Sequence, residues 1–181
     1  MAQFEQYHPI LSAHYRLDWL TTFKLKDVFA LRHDAQAAAQ SDRPVATSFE
    51  EAARTLNRAM LDVMNNNALL YGIGSRQTGA LLGSFAIAHF AADRTTATVQ
   101  FETLPTTDRE VMVEVLPRMV GFAFFELGLT QVTAQLPDTA TGAIGLYQQW
   151  EFTATPALDR EGWLHLSLAR ERVAEDPRFR Q

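Results

Sequence analysis

The chain has 181 residues, a formal charge of -5 and no cysteine. That length suits one domain, and with 47% apolar residues it can bury a core without covalent staples. The lack of cysteine excludes disulfides, thiolate metal sites and a cysteine nucleophile, while the acidic balance and the absence of any Lys/Arg run argue against a nucleic-acid partner.

The N-terminus has no basic segment followed by an apolar run, and no apolar stretch approaches ~20 residues. Neither a signal peptide nor a membrane span is expected, and the composition reads as that of a cytoplasmic protein. Residues 1–13 form an irregular lead-in. Residues 15–20 alternate apolar and polar positions, the pattern of an edge strand. Thr21 or Thr22 then caps a helix with Leu25, Val28, Phe29 and Leu31 at helical spacing. The alanine-rich stretch 35–39 favours helix and the group ending at Pro44 stops it. Thr47-x-x-Glu50 has capping-box spacing and opens a helix to about Met64, with Ala52, Leu56, Ala59, Met60 and Val63 on one face.

After the turn Asn65-Asn-Asn67, strands at 68–73 and 80–89 flank a loop with glycine at both ends, Gly74 and Gly79. Both strands are apolar on two faces, so they are read as central. A strand at 96–102 precedes a helix over 108–127 that is apolar almost all round and therefore buried. Pro117 lies inside that helix and removes a main-chain donor, so a bend or a lost bond near Val113 is expected. A strand at 131–136, a helix ending near Phe152, and strands at 152–155 and 163–168 complete the pattern, while the charged segment 171–181 is read as a fraying tail.

The succession from 95 to 152 resembles the acyl-CoA-binding half of the GNAT-family N-acetyltransferases, nearest the branch that acetylates ribosomal-protein N-termini. The threonine-rich entry to the helix carrying Asp27-Val-Phe-Ala-Leu-Arg32 is similar to the opening of that branch. The likeness spans residues 14–170. It implies a single α/β domain: a mixed, twisted sheet of about seven strands with helices on both faces. It also implies that strands 95–102 and 130–136 start side by side and splay apart at their C-terminal ends, leaving a cleft. Acetyl-CoA would be the co-substrate, and the acceptor an amine on a protein N-terminus or a small molecule. No metal, nucleic-acid or membrane partner is implied, and a homodimer is left open. The acceptor would be chosen by residues between 21 and 60.

The resemblance assigns roles residue by residue. The family's pyrophosphate loop is glycine-rich, whereas here Thr107, Asp108, Arg109, Glu110, Val111 and Met112 occupy it. Asp108 and Glu110 fall on the glycine positions and add negative charge, so the loop is degenerate and acetyl-CoA is expected to bind more weakly; Arg109 is the one phosphate-friendly residue. Thr107-x-x-Glu110 is also readable as a self-capped helix start. Leu146, Tyr147 and Phe152 match the family's helix pattern, with Ala140 in place of its asparagine and Glu151 in place of its glycine. The resemblance makes Tyr147 the acid for the departing thiolate, a phenol of pKa ~10 against a thiol of ~8.5. As a helix tyrosine closing the core it reads equally well. Glu102 is the candidate base for the amine, or a solvated strand end, and main-chain groups near Glu102 and Thr103 would orient the thioester. The histidines at 8, 14, 33, 89 and 165 show no ligand spacing, so no metal site is expected. The rival reading is a non-catalytic module of the same fold that has lost the phosphate loop.

Overall fold

The computed structural model describes residues 3–181. Contacts divide the chain into two compact units, one running up to His89 and including Gln100–Thr107, the other comprising Phe90–Val99 and Asp108–Gln181.

In the first unit the described part of the lead-in, residues 3–13, is built into the fold. It holds a single 3-10 turn (Phe4–Gln6) and a short strand β1 (Ile10–Leu11), and both Phe4 and Ile10 are buried. β1 pairs with β2 (Tyr15–Trp19), so β1 and not β2 is the edge. Two residues are too few to show alternation, which is why this strand escapes a periodicity reading. α1 (Leu25–His33) follows, but neither threonine caps it. Thr22 Oγ1 donates to the Trp19 carbonyl at 2.7 Å, and Lys24 stands at the N-cap without a side-chain bond. α2 (Ala35–Gln40) begins at Asp34, whose carboxylate accepts from the Ala37 amide at 2.8 Å. α3 (Phe49–Met64) uses a capping box one residue later than expected. Ser48 Oγ accepts from the Glu51 amide at 3.2 Å, and the Glu51 carboxylate accepts from the Thr47 amide at 2.7 Å. Both registers have the spacing, and the one adopted accompanies the burial of Ala52, Leu56 and Val63.

β3 (Leu69–Ser75) and β4 (Leu81–Ala88) form the expected hairpin, with a register shift between Ile73 and Gly74 and with Gly79 at φ +75 in the loop. β3 lies between β2 and β4, antiparallel to each. Beneath them Leu20, Val28, Leu31, Ala37, Leu56 and Leu81 make an apolar cluster. Asp18 is buried beside it and accepts from Arg16 Nη2 at 2.7 Å, from the Trp19 amide at 2.8 Å, and pairs with His8 Nδ1 at 2.8 Å. Burial alone would raise its carboxyl, but the bonds from Arg16, Trp19 and His8 outweigh burial and hold it below the usual carboxylate value.

β5 (Thr96–Thr103) contributes its first half to the second unit and its second half to the first. The second unit continues with α4 (Arg109–Phe125), β6 (Gln131–Pro137), α5 (Thr141–Gln149), β7 (Thr153–Pro156), β8 (Trp163–Ala169) and α6 (Arg170–Val173). α4 is helical throughout, Pro117 included: the proline has no N–H for the Val113 carbonyl, so that one bond is lost while the helix continues on both sides. The segment expected to fray is packed: Val173 and Phe179 are each 1% exposed. The Phe179 ring meets Trp150 edge-on at 5.6 Å, and its carbonyl oxygen lies where a Cβ on Gly121 would sit. A sequence pattern cannot show this, because the anchor is one phenylalanine among charges.

The strand order is β1-β2-β3-β4-β5-β6-β8-β7, a mixed sheet of eight strands where about seven were expected; the two-residue β1 is the strand that the reading leaves out. β6 is parallel to β5 and antiparallel to β8. The β5–β6 ladder holds only Thr96–Gln131, Ala97–Val132 and Thr98–Thr133, although β5 continues to Thr103 and β6 to Pro137. The ladder therefore stops after three pairs, short of the C-terminal ends of both strands, as expected. Among the described residues no helix is long and apolar enough to cross a membrane.

Candidate functional site

Of the residues singled out by the sequence, Glu102 and Thr103 stand in the first unit, whereas Asp108, Arg109, Glu110, Val111, Met112 and Tyr147 stand in the second.

Glu102 is 1% exposed, which excludes the solvated strand end. Its carboxylate meets Arg43, which follows α2. Arg43 Nε donates to Oε2 at 2.9 Å and Nη2 to Oε1 at 2.8 Å, a bidentate pair. The remaining Arg43 protons go to main-chain carbonyls: Nη1 to Arg32 at 2.9 Å and Pro44 at 3.1 Å, Nη2 to Leu31 at 3.1 Å. Every N–H of this guanidinium is thus used, and it adds a second bond to the Leu31 and Arg32 carbonyls at the end of α1, which already accept from the Asp34 and Ala46 amides. The Thr103 amide, a candidate for orienting a thioester, donates to Gln40 Oε1 at 2.8 Å.

Arg32 is the contrast. Its Nη1 stays 3.8 Å from Glu102 Oε1, and its buried Nε has no partner among the described residues. Burial draws this guanidinium below its ordinary value; Glu102 opposes the shift and Arg43 adds to it. A buried donor left unsatisfied costs ~1–3 kcal/mol. Arg32, Arg43 and Glu102 line a cavity of about 370 Å³, together with Arg58 and Asp62 of α3 and Ser84 of β4. Neither arginine was legible as functional, because nothing near Arg43 points to a carboxylate 59 residues away. Among the described residues no His, Asp and Glu cluster could hold a metal ion.

In the second unit, Asp108 and not Thr107 caps α4: its Oδ1 accepts from the Glu110 amide at 3.1 Å. Thr107 is spent elsewhere, in the first unit, where its Oγ1 donates to the Leu82 carbonyl at 2.7 Å. Asp108, Arg109 and Glu110 are exposed, and Arg109 Nη2 donates to Gln149 Oε1 at 3.1 Å. Val111 and Met112 are 4% and 3% exposed and belong to the core. The first-turn amides and Arg109 fit an anion, but Asp108 already occupies one amide and two carboxylates flank the site.

Tyr147 of α5 is 1% exposed and packs edge-on against Phe152 at 4.9 Å. Burial pushes its phenol well above the ordinary value, so it stays protonated, and the gap to a thiol widens. Ala140 gives α5 no side-chain cap, in line with the missing asparagine. Glu151 sits at φ +74, a left-handed turn that suits the glycine of the resembled pattern and strains a glutamate.

No protein-family model matches the sequence, and no curated protein matches it. Solved structures do. A spermidine N-acetyltransferase from Vibrio cholerae, in complex with CoA and spermine, superposes with a TM-score of 0.75 at 14% identity, covering 91% of this chain and 100% of that one. A Vibrio cholerae protein described as a ribosomal-protein-serine acetyltransferase gives 0.72 at 17% identity, covering 89% and 97%. A GNAT-family acetyltransferase from Bacillus anthracis gives 0.73 at 11%, covering 90% and 99%. The chain has the GNAT acetyltransferase fold. At these identities the likeness extends to the fold, and function has to be argued from the residues.

Proposed function

We propose that the chain is an N-acetyltransferase that moves an acetyl group from acetyl-CoA to an amine-bearing acceptor. The observation that carries this reading is the β5–β6 ladder, which stops after three pairs in a fold shared with acetyltransferases. The chemistry supplied by bound acetyl-CoA is an activated thioester: the acceptor nitrogen bonds to the acetyl carbon, the carbon–sulfur bond breaks, and sulfur leaves as a thiolate. Arg109 and the first amides of α4 hold a phosphate of the diphosphate, against the charges of Asp108 and Glu110. Tyr147 keeps its proton and offers its hydroxyl as a hydrogen-bond donor to the leaving sulfur. Glu102, with both oxygens bonded to Arg43, holds that arginine in place, and the acceptor's proton passes to water.

Titration calorimetry with acetyl-CoA, followed by an assay of thiol release over a panel of amines, tests the reading. Binding with amine-dependent thiol release is expected. Tyr147→Phe should lower turnover ~10²-fold, because the hydrogen bond to sulfur strengthens as negative charge builds on it. No binding at all would overturn the reading. A second reading, a GNAT-fold module that binds without transfer, draws on the Asp108 cap that occupies the α4 N-terminus. Binding without thiol release for any amine would favour it.

A further inference from the structure

We propose that the cavity beneath Arg32 selects an acceptor by a carboxylate, so that the substrate is a small amine-bearing acid and not a polyamine. This rests on the acetyltransferase reading and extends it to the acceptor.

The argument begins with charge. Two guanidiniums, Arg32 and Arg43, face one carboxylate, Glu102, with side-chain exposures of 18%, 10% and 2%. Arg43 satisfies Glu102 fully and has no proton left to offer. Arg32 reaches Glu102 only at 3.8 Å, so two positive charges share one carboxylate in a largely buried place, and the Arg32 Nε finds no acceptor. A largely buried cation with only a long shared pairing and one unsatisfied donor is disfavoured, so this arrangement calls for an anion. The planar fork of a guanidinium matches a planar carboxylate through two parallel bonds.

The surroundings set the size and kind of molecule. The cavity of about 370 Å³ is that of a small-ligand site. Its wall includes the apolar Ala59, Leu70 and Ala86, with Arg58 as a third cation beside Arg32 and Arg43. Asp62 also lines it, and neither Arg58 nor Asp62 forms a side-chain bond or ion pair among the described residues. A cation-rich wall repels a polyamine and attracts an acid. A carboxylate on Arg32 would supply the acceptor that Nε lacks, and Asp62 offers a place for an ammonium on the same molecule.

The test compares each free L-amino acid with its carboxamide by calorimetry on the intact protein, with spermidine and inorganic phosphate as further probes. At least one acid should bind ~10-fold or more tightly than its amide, the loss expected when one charge-assisted bidentate contact disappears. Arg32→Gln should bring that acid to the level of its amide, and Arg32→Lys should retain part of the preference. Should Arg32→Gln not fold, Arg58→Gln is the second variant, and weaker binding of the acid with an unchanged amide supports the proposal. Equal binding of acids and amides, no binding by any acid, tighter binding of phosphate, or a preference for spermidine would each overturn it. Acetyl transfer to spermidine without any preference for acids sinks the carboxylate and leaves the transferase reading intact. Acid binding without any transfer does the reverse.

Discussion

The two units treat polar groups in opposite ways. The buried serine, aspartate and glutamate side chains among the described residues, Ser12, Asp18, Ser84 and Glu102, lie in the first unit, while the second buries the Tyr147 hydroxyl as well as a Trp150 Nε1 that has no partner among the described residues. Its interior is wired by hydrogen bonds between distant segments, such as Arg43 to Glu102 and the Tyr71 hydroxyl to the Tyr7 carbonyl at 2.7 Å. The second unit buries apolar side chains along α4 and keeps Asp108, Arg109 and Glu110 at the surface. Buried polar networks cost stability when incomplete and confer specificity when satisfied. The long-range polar wiring therefore belongs to the first unit, and within it the Arg32 guanidinium is left one partner short.

That contrast can be broken most sharply at the ion pair. Arg43→Ala should destabilise the protein by ~3–5 kcal/mol, because it leaves the Glu102 carboxylate buried and alone. Pairing Arg43→Met with Glu102→Leu should recover most of the loss, since both charges then leave together. Denaturant titration of the two variants measures it. If Arg43→Ala is silent, the network is ornamental and the contrast fails.

For the second unit the corresponding test is steric. Gly121→Ala drives a methyl group into the Phe179 carbonyl, so a cost of ~1–3 kcal/mol is expected from overpacking. Deleting residues 177–181 should cost stability on its own and also relieve the Gly121→Ala penalty, which thermal unfolding of the double variant would reveal. Additive losses would mean that the C-terminal turn does not pack on α4.

Acid should separate the two units further. Asp18 has a folded pKa below its unfolded value, so its contribution to stability is complete above the unfolded pKa of ~3.9 and is lost as pH falls through the folded value. Asp18→Asn should therefore lower stability at neutral pH and flatten its dependence on pH below 4. An unchanged acid profile would show that Asp18 does not carry this linkage.

The smallest effect is expected at the end of α5. Glu151→Gly should stabilise the protein by ~1 kcal/mol through relief of the left-handed backbone, set against a loose contact of Glu151 with Arg172 at 3.5 Å. A loss of stability would mean that the contact outweighs the strain.

Much of the fold was legible in the residues. Seven strands, the long helices and the early end of the β5–β6 ladder follow from periodicity, turn residues and the resemblance they support. β1 was not legible, since two residues carry no period, and neither was the anchor at Phe179. At the candidate site, Glu102 and Tyr147 were legible as residues of interest, but their surroundings were not. The alternation along β5 groups Glu102 with Gln100, which is exposed, and says nothing of the arginine that covers Glu102.

The sequence by itself determined the order of the elements, the buried character of α4 and the unusual charges at its start, because helical and strand periodicity and capping are properties of neighbouring residues. Only the tertiary structure decided which of two adjacent capping boxes opens α3, that Asp108 and not Thr107 caps α4, and that Arg43 saturates Glu102 while Arg32 is left one partner short. Those outcomes depend on which polar groups are desolvated together. That is set by segments far apart in the chain, and no local pattern encodes the cost of burying a charge until its neighbours are in place.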